Sequence, residues 1–190
     1  NECNQMMSDI ERIYHYGSAH IDNDDIDAIV DVLRSRWLTT GPKIDEFEKI
    51  FSEFCGCEDT VVCANGTAAL YLACKGLELD LGDSVIVPSI TFLATANAPR
   101  LASAEVIFSD VCSETGLMTP EHFEDALKRA GKDVRAVLPV HLNGRPCQME
   151  EIENIASGQG IHVIEDACHA LGGEYADGVS RVGSCNYSKM

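Results

Sequence analysis

From Ser84 onward, short apolar runs rich in β-branched residues alternate with helical patterns, and the loops between them are short. "SVIVP" (84–88), "AEVIFSD" (104–110), "VRAVLPV" (134–140) and "IHVIED" (161–166) read as strands. Between them, residues 91–102 carry a helical pattern weakened by Pro99. "TPEHFEDALKRA" (119–130) reads as a helix capped by Thr119 with Pro120 in its first turn, and "CQMEEIENIASGQG" (147–160) as another. Strands joined through helices in this way run parallel, and their crossovers place helices on both faces of the sheet. The pattern therefore predicts an α/β fold with a mostly parallel sheet.

Upstream, Asp22 to Ser35 reads as a helix, with Ile26, Ile29, Val30 and Leu33 at helical spacing and Asp22 or Asn23 as cap. "WLTTGPK" interrupts the pattern. Pro42 suits the first turn of a second helix, which carries Ile44, Phe47, Ile50, Phe51 and Phe54 and stops near Gly56. "TVVCA" (60–64) is expected as a further strand, and "GTAALYLACKGL" as a helix with Leu70, Ala73, Cys74 and Leu77 on one face.

A formal charge of −17 argues against a nucleic-acid or anionic-membrane partner. It leaves open a small phosphorylated ligand, because backbone amides hold phosphate without net basicity. Nine cysteines are scattered, and the closest pair, Cys55 and Cys57, is C-x-C with no matching Cys/His cluster, so no metal site is expected. A reduced, cytoplasmic chain fits that usage. No run approaches the ~18 apolar residues of a membrane span. Residues 1–15, which lack the regions of a signal peptide, are expected as an amino-terminal arm or tag-like segment, with Met6 or Met7 as a possible start. Residues 16–190 are expected to form a single domain.

In open parallel sheets, ligands sit beyond the carboxyl ends of the strands. Three stretches follow expected strands directly: Asn65–Ala68, Ser89–Phe92 and Asp166–His169. Asn65-Gly66-Thr67 leads from a strand into a helix, a geometry that aims free amides at an anion, and an ordinary capped helix explains it equally well. Neither the G-x-G-x-x-G nor the P-loop fingerprint is present. Asp166 can ligate a metal, hold a ribose hydroxyl, pair with a protonated ring nitrogen, or cap the turn that follows. Glu165 alternates with it and points to the other face. His169 and Phe92, each taken singly, fit structural roles. Together, an anion cradle, an aromatic face and an aspartate with a histidine suit a flat phosphorylated nitrogen heterocycle, and pyridoxal 5'-phosphate meets that description.

"WLTTGPKIDEFEKIF", "NGTAALYLA", "GDSVIVPSITFLATANA", "PVHLNGRPCQMEEI" and "VIEDACHALGGEY", in this order, resemble the DegT/DnrJ/EryC1/StrS sugar aminotransferases, which are fold-type I pyridoxal-phosphate enzymes. The resemblance implies the large domain of that fold. It also implies that Gly66, Thr67 and Ala68 cradle the cofactor phosphate, Phe92 stacks on the ring, Asp166 pairs with the ring nitrogen and His169 reaches the ring hydroxyl side. Thr39, Thr40 and Gly41 would line the substrate side. Within the family, residues 16–42 and "EDACHALGGEY" look most like transaminases that use glutamate to aminate a UDP-4-keto-6-deoxy-N-acetylhexosamine on the route to pseudaminic acid. Such a parent enzyme is expected to be a homodimer.

Relatives continue past a stretch like Gly183-Ser184 into Ser-x-His-x-x-Lys, whose lysine forms the Schiff base. Lys189 lacks that frame and does not inherit the role, so the lysine is expected beyond Met190, together with the small carboxyl-terminal domain. The chain is therefore expected to be the amino-terminal half of an enzyme, a weak cofactor binder with negligible turnover. Two alternatives remain: the family's sugar dehydratase branch, which has histidine in place of the lysine, and a non-catalytic ligand-binding protein.

Overall fold

The computed structural model describes residues 19–131 and 133–190. The described residues divide into two units, one ending at Lys43 and the other running from Ile44 to Met190. In the first, helix α1 (Asn23–Arg34) begins with a reciprocal capping box: the Asp22 side chain accepts from the Asp24 and Asp25 amides, and the Asp25 carboxylate accepts from the Asp22 amide. Thr39 and Thr40 are exposed in the turn that follows, where Thr40 has a positive φ of 48°. A Cβ on Gly41 would lie 2.9 Å from that of Trp37, which explains the glycine there. Helix α2 (Pro42–Cys55) opens with Pro42 in its first turn.

The second unit is built on a four-stranded parallel sheet of order β2-β1-β3-β4. Helix α3 (Gly66–Gly76) precedes it. The strands β1 (Ser84–Pro88), β2 (Glu105–Ser109), β3 (Val134–Val137) and β4 (His162–Val163) are joined by α4 (Leu93–Leu101), α5 (Pro120–Ala130) and α6 (Met149–Ser157). β1 to β2 steps one way across the sheet, and the next two connections step the other way. Crossovers of one hand must then put α4 on one face and α5 and α6 on the opposite face.

The core shows that division at single-residue resolution. Val85, Val87, Ala136, Leu138 and Ile164 pack with residues of α3 and α4, whereas Ile86, Val137 and Val163 pack with Phe123, Ala126, Met149 and Ile152 of α5 and α6. This is the period of two expected of strands buried on both faces. Small residues, Ala94, Ala98 and Ala102, let α4 approach α3 closely.

Most expected elements are present, with shorter ends. Pro99 does not end α4; it sits in the last turn of the helix, buried, where lateral packing outweighs one missing hydrogen bond. β3 stops before Pro139, which has no N–H to donate, yet the pairing resumes beyond it. The Asp166 amide donates to Pro139 O at 2.9 Å, the His141 amide donates to Asp166 O at 3.0 Å, and Val140 bridges Asp166 in parallel.

The expectation of a strand at 60–64 is not met: the segment is irregular, and Val61 is 81% exposed. A strand needs a ladder partner, and these residues find other acceptors and donors. The Val62 amide donates to Glu48 Oε1 at 2.8 Å, and Ser52 donates to the Thr60 hydroxyl at 2.8 Å. Next to β4, the amide of Lys189 donates to Val163 O and that of Glu165 to Met190 O. Among the described residues, no helix is long and apolar enough to cross a membrane.

Phe123 is fully buried at the centre of the α5–α6 face. Phe123→Ala is expected to destabilise the unit by ~3–5 kcal/mol, read as a shift of the urea unfolding midpoint.

Candidate cofactor site

The carboxyl ends of the strands converge on one cavity of about 220 Å³, lined among others by Gly66, Thr67, Thr91, Phe92, Asp166 and His169. Five of the residues expected to touch a cofactor thus come together from three separate stretches. Ala68 does not line the cavity. Its amide donates to Asn65 Oδ1 at 2.9 Å, which makes Asn65 the cap of α3. The amides of Gly66 and Thr67 in the same first turn have no acceptor within the helix. Thr39, Thr40 and Gly41 belong to the first unit.

Gly66 is fixed by close approach. A Cβ there would sit 2.7 Å from Cys168 Sγ, so a side chain at residue 66 would force the Cys168 side chain to shift. Gly144, with a φ of 83°, allows a second close approach: its Cβ would lie 3.2 Å from His169 O. The Cys168 thiol is pushed up to about 11 by burial, by its hydrogen bond to Asp166 and by the charge on that residue, so it stays protonated near neutrality.

Asp166 is 5% exposed and uses both carboxylate oxygens. Oδ2 accepts from Thr95 Oγ1 at 2.6 Å, and Oδ1 accepts from the Cys168 amide at 3.3 Å. The second bond is the local capping anticipated for this aspartate, although it holds a turn over 167–170 and no helix follows. Phe92 is the N-cap position of α4, makes no side-chain cap bond, and is 71% exposed beside the cavity. His169 is also exposed there. Among the described residues, no group of three metal-ligating side chains could hold an ion.

Behind the cavity, on the other face of the sheet, lies a network that the sequence did not single out. Glu165 Oε2 accepts from His141 Nε2 at 2.6 Å and from the Tyr175 hydroxyl at 2.6 Å. The Cys147 amide donates to His141 Nδ1 at 3.1 Å, which leaves Nε2 as the protonated nitrogen and so a donor to Glu165. Burial pushes the Glu165 carboxyl up, but hydrogen bonds from His141 and Tyr175 outweigh it and hold the group below the usual glutamate range. Tyr175 is raised in turn by burial and by the Glu165 charge. Burial and Glu165 push the Cys147 thiol up to about 12. The signal in the sequence was a histidine just past one strand and a glutamate just before the end of another, and only the strand order reveals that they meet.

Two outcomes follow. Gly66→Ala is expected to cost less in a Cys168→Ala background than in the wild type, with a coupling of ~0.5–3 kcal/mol in a double-mutant cycle. A native carboxyl value depressed below the unfolded one stabilises above the unfolded value of ~4.3 and loses that contribution as pH falls through the native value. The stability gap between wild type and Glu165→Gln should therefore be full near neutrality and shrink below about pH 4, as followed by urea denaturation across pH.

The family model described as the DegT/DnrJ/EryC1/StrS aminotransferase family matches residues 19–189. An uncharacterized protein of Methanocaldococcus jannaschii is 38% identical over 155 residues, which cover 82% of this chain and 39% of that protein. Among solved structures, Helicobacter pylori PseC, an aminotransferase involved in the biosynthesis of pseudoaminic acid, aligns at a TM-score of 0.81 and 25% identity, covering 89% of this chain and 44% of PseC. NtdA of Bacillus subtilis, solved with bound cofactor PMP, aligns at a TM-score of 0.74 and 30% identity, covering 88% of this chain and 37% of NtdA. The chain thus spans less than half the length of the proteins it matches.

Proposed function

Because the chain belongs to the DegT/DnrJ/EryC1/StrS aminotransferase family, we propose that the cavity at its strand ends is the cofactor cradle of a pyridoxal-phosphate-dependent sugar aminotransferase. The observation that carries this is the convergence of Gly66, Thr67, Phe92, Asp166 and His169, from the start of α3, the segment after β1 and the 166–169 turn, on a single cavity. The residues fit the group chemically. Two amides at the amino end of α3, free of helical acceptors and reached past a side-chain-less residue, suit a phosphate. The Ala68 amide is held by the Asn65 cap, so Gly66 and Thr67 carry the cradle.

When bound, pyridoxal phosphate supplies an aromatic ring that accepts electrons from the reacting carbon. The chain's own residues set the conditions for that chemistry. The Asp166 carboxylate holds a proton on the ring nitrogen, because a negative charge beside it favours the protonated form. Phe92 offers an apolar face against the ring. His169 hydrogen-bonds on the ring hydroxyl side. Burial of Asp166 keeps water from competing for its oxygens.

For the parent enzyme we infer amination of a keto-sugar nucleotide with glutamate as donor. The specific member proposed is a UDP-4-keto-6-deoxy-N-acetylhexosamine transaminase, supported by the likeness to PseC. Thr39, Thr40 and Gly41 are proposed to face the sugar, and a homodimer is the proposed assembly.

Pyridoxamine 5'-phosphate tests the cradle directly, because it carries no aldehyde and needs no lysine. Titration calorimetry is expected to show binding by the wild-type chain and at least about tenfold weaker binding by Asp166→Asn, the loss expected for a hydrogen bond to a charged group. Equal affinity for both proteins, with circular dichroism unchanged, would rule out the role given to Asp166.

A further inference from the structure

Thr95 is completely buried on the face of α4 that packs against the sheet, between Ala94 and Ala96. A hydroxyl in such an apolar setting costs stability unless it is paired. A threonine in the first turn of a helix, as Thr95 is in α4, can return its proton to a carbonyl three or four residues back. This one instead reaches across 71 residues of sequence to Asp166 Oδ2 at 2.6 Å. A second hydroxyl, Thr91 Oγ1, lies 2.7 Å from Thr95 Oγ1 and lines the cavity.

The direction of these bonds is determined by chemistry. A carboxylate only accepts, so the single hydroxyl proton of Thr95 goes to Asp166. Thr95 must then accept at its other contact, and Thr91 must donate. The order is Thr91 to Thr95 to Asp166, each bond polarising the next. The Cys168 amide holds the other oxygen, Oδ1, at 3.3 Å. The carboxylate is thus clamped from two sides while its remaining lone pairs face the cavity.

We propose that Thr95, backed by Thr91, is a positioning residue that aims the Asp166 carboxylate at the ring nitrogen of the cofactor, an inference that rests on the cofactor assignment proposed above. Thr95 touches no ligand itself. Its removal frees the Asp166 side chain to rotate and leaves one oxygen without a partner, so the loss appears in binding to the ring nitrogen and not in binding of the phosphate.

The test compares two probes by titration calorimetry: pyridoxamine 5'-phosphate and its deaza analogue, which has C–H in place of the ring nitrogen. Thr95→Val keeps the volume and removes the donor. It is expected to weaken pyridoxamine 5'-phosphate by about tenfold and to leave the deaza analogue within about twofold of wild type. Thr95→Ser, which restores the hydroxyl, should recover most of the loss. Thr91→Val leaves the Thr95 hydroxyl in the core and should weaken the first probe by about threefold, through the lost polarisation. Unchanged binding of pyridoxamine 5'-phosphate by Thr95→Val and Thr91→Val overturns the inference, and so does an equal loss for both probes, which would mark a merely structural role. If the wild-type chain binds neither probe, the cofactor assignment itself falls and takes the inference with it; if the wild type binds and the variants match it, only the inference falls.

Discussion

The parallel pairing of β3 with β4, carried past Pro139 by the Val140–Asp166 bridge, is the constraint on which the site depends. Side chains alternate along a strand, so fixing the register at this point decides which of two adjacent acids faces which side of the sheet. Asp166 turns toward Thr95 and the cavity, and Glu165 toward His141 and Tyr175. A slip of one residue would exchange them and place the longer acid in the cavity.

The two carboxylates are both buried but are accommodated differently. A buried charge is tolerable only when hydrogen bonds replace the water it has lost. Glu165 has His141 and Tyr175 on one oxygen, and its side chain has almost no exposure, so it serves as an anchor between the strand ends and the segment around Tyr175. Asp166 has one side-chain donor and one backbone donor, and it lines the cavity. What separates them is position: Asp166 lines the cavity, whereas Glu165 is bonded to His141 and Tyr175 on the other face of the sheet.

Close approach of backbone is the second requirement. The amino end of α3 comes against the 167–170 turn because Gly66 leaves space for Cys168, and the turn at Gly144 meets His169 in the same way.

Much of this was determined by the sequence alone. Period-two and helical patterns specified the parallel α/β architecture, Thr119 and Asp22 marked helix starts, and the strand-end rule pointed to Phe92, Asp166 and His169, which line one cavity, because these signals are local and depend only on side-chain spacing; Gly66 and Thr67 line it too, although the strand expected before them is absent. The opposite facing of Glu165 and Asp166 was legible for the same reason. Other features rest on contacts between residues far apart in the chain, and only the tertiary structure decided them. The run at 60–64 has strand composition but no ladder partner. Pro99 is carried inside α4 by packing. Ala68 spends its amide on the Asn65 cap. His141, Thr95 and Thr91 acquire their roles from acids 24, 71 and 75 positions away, across a strand order that no local pattern encodes.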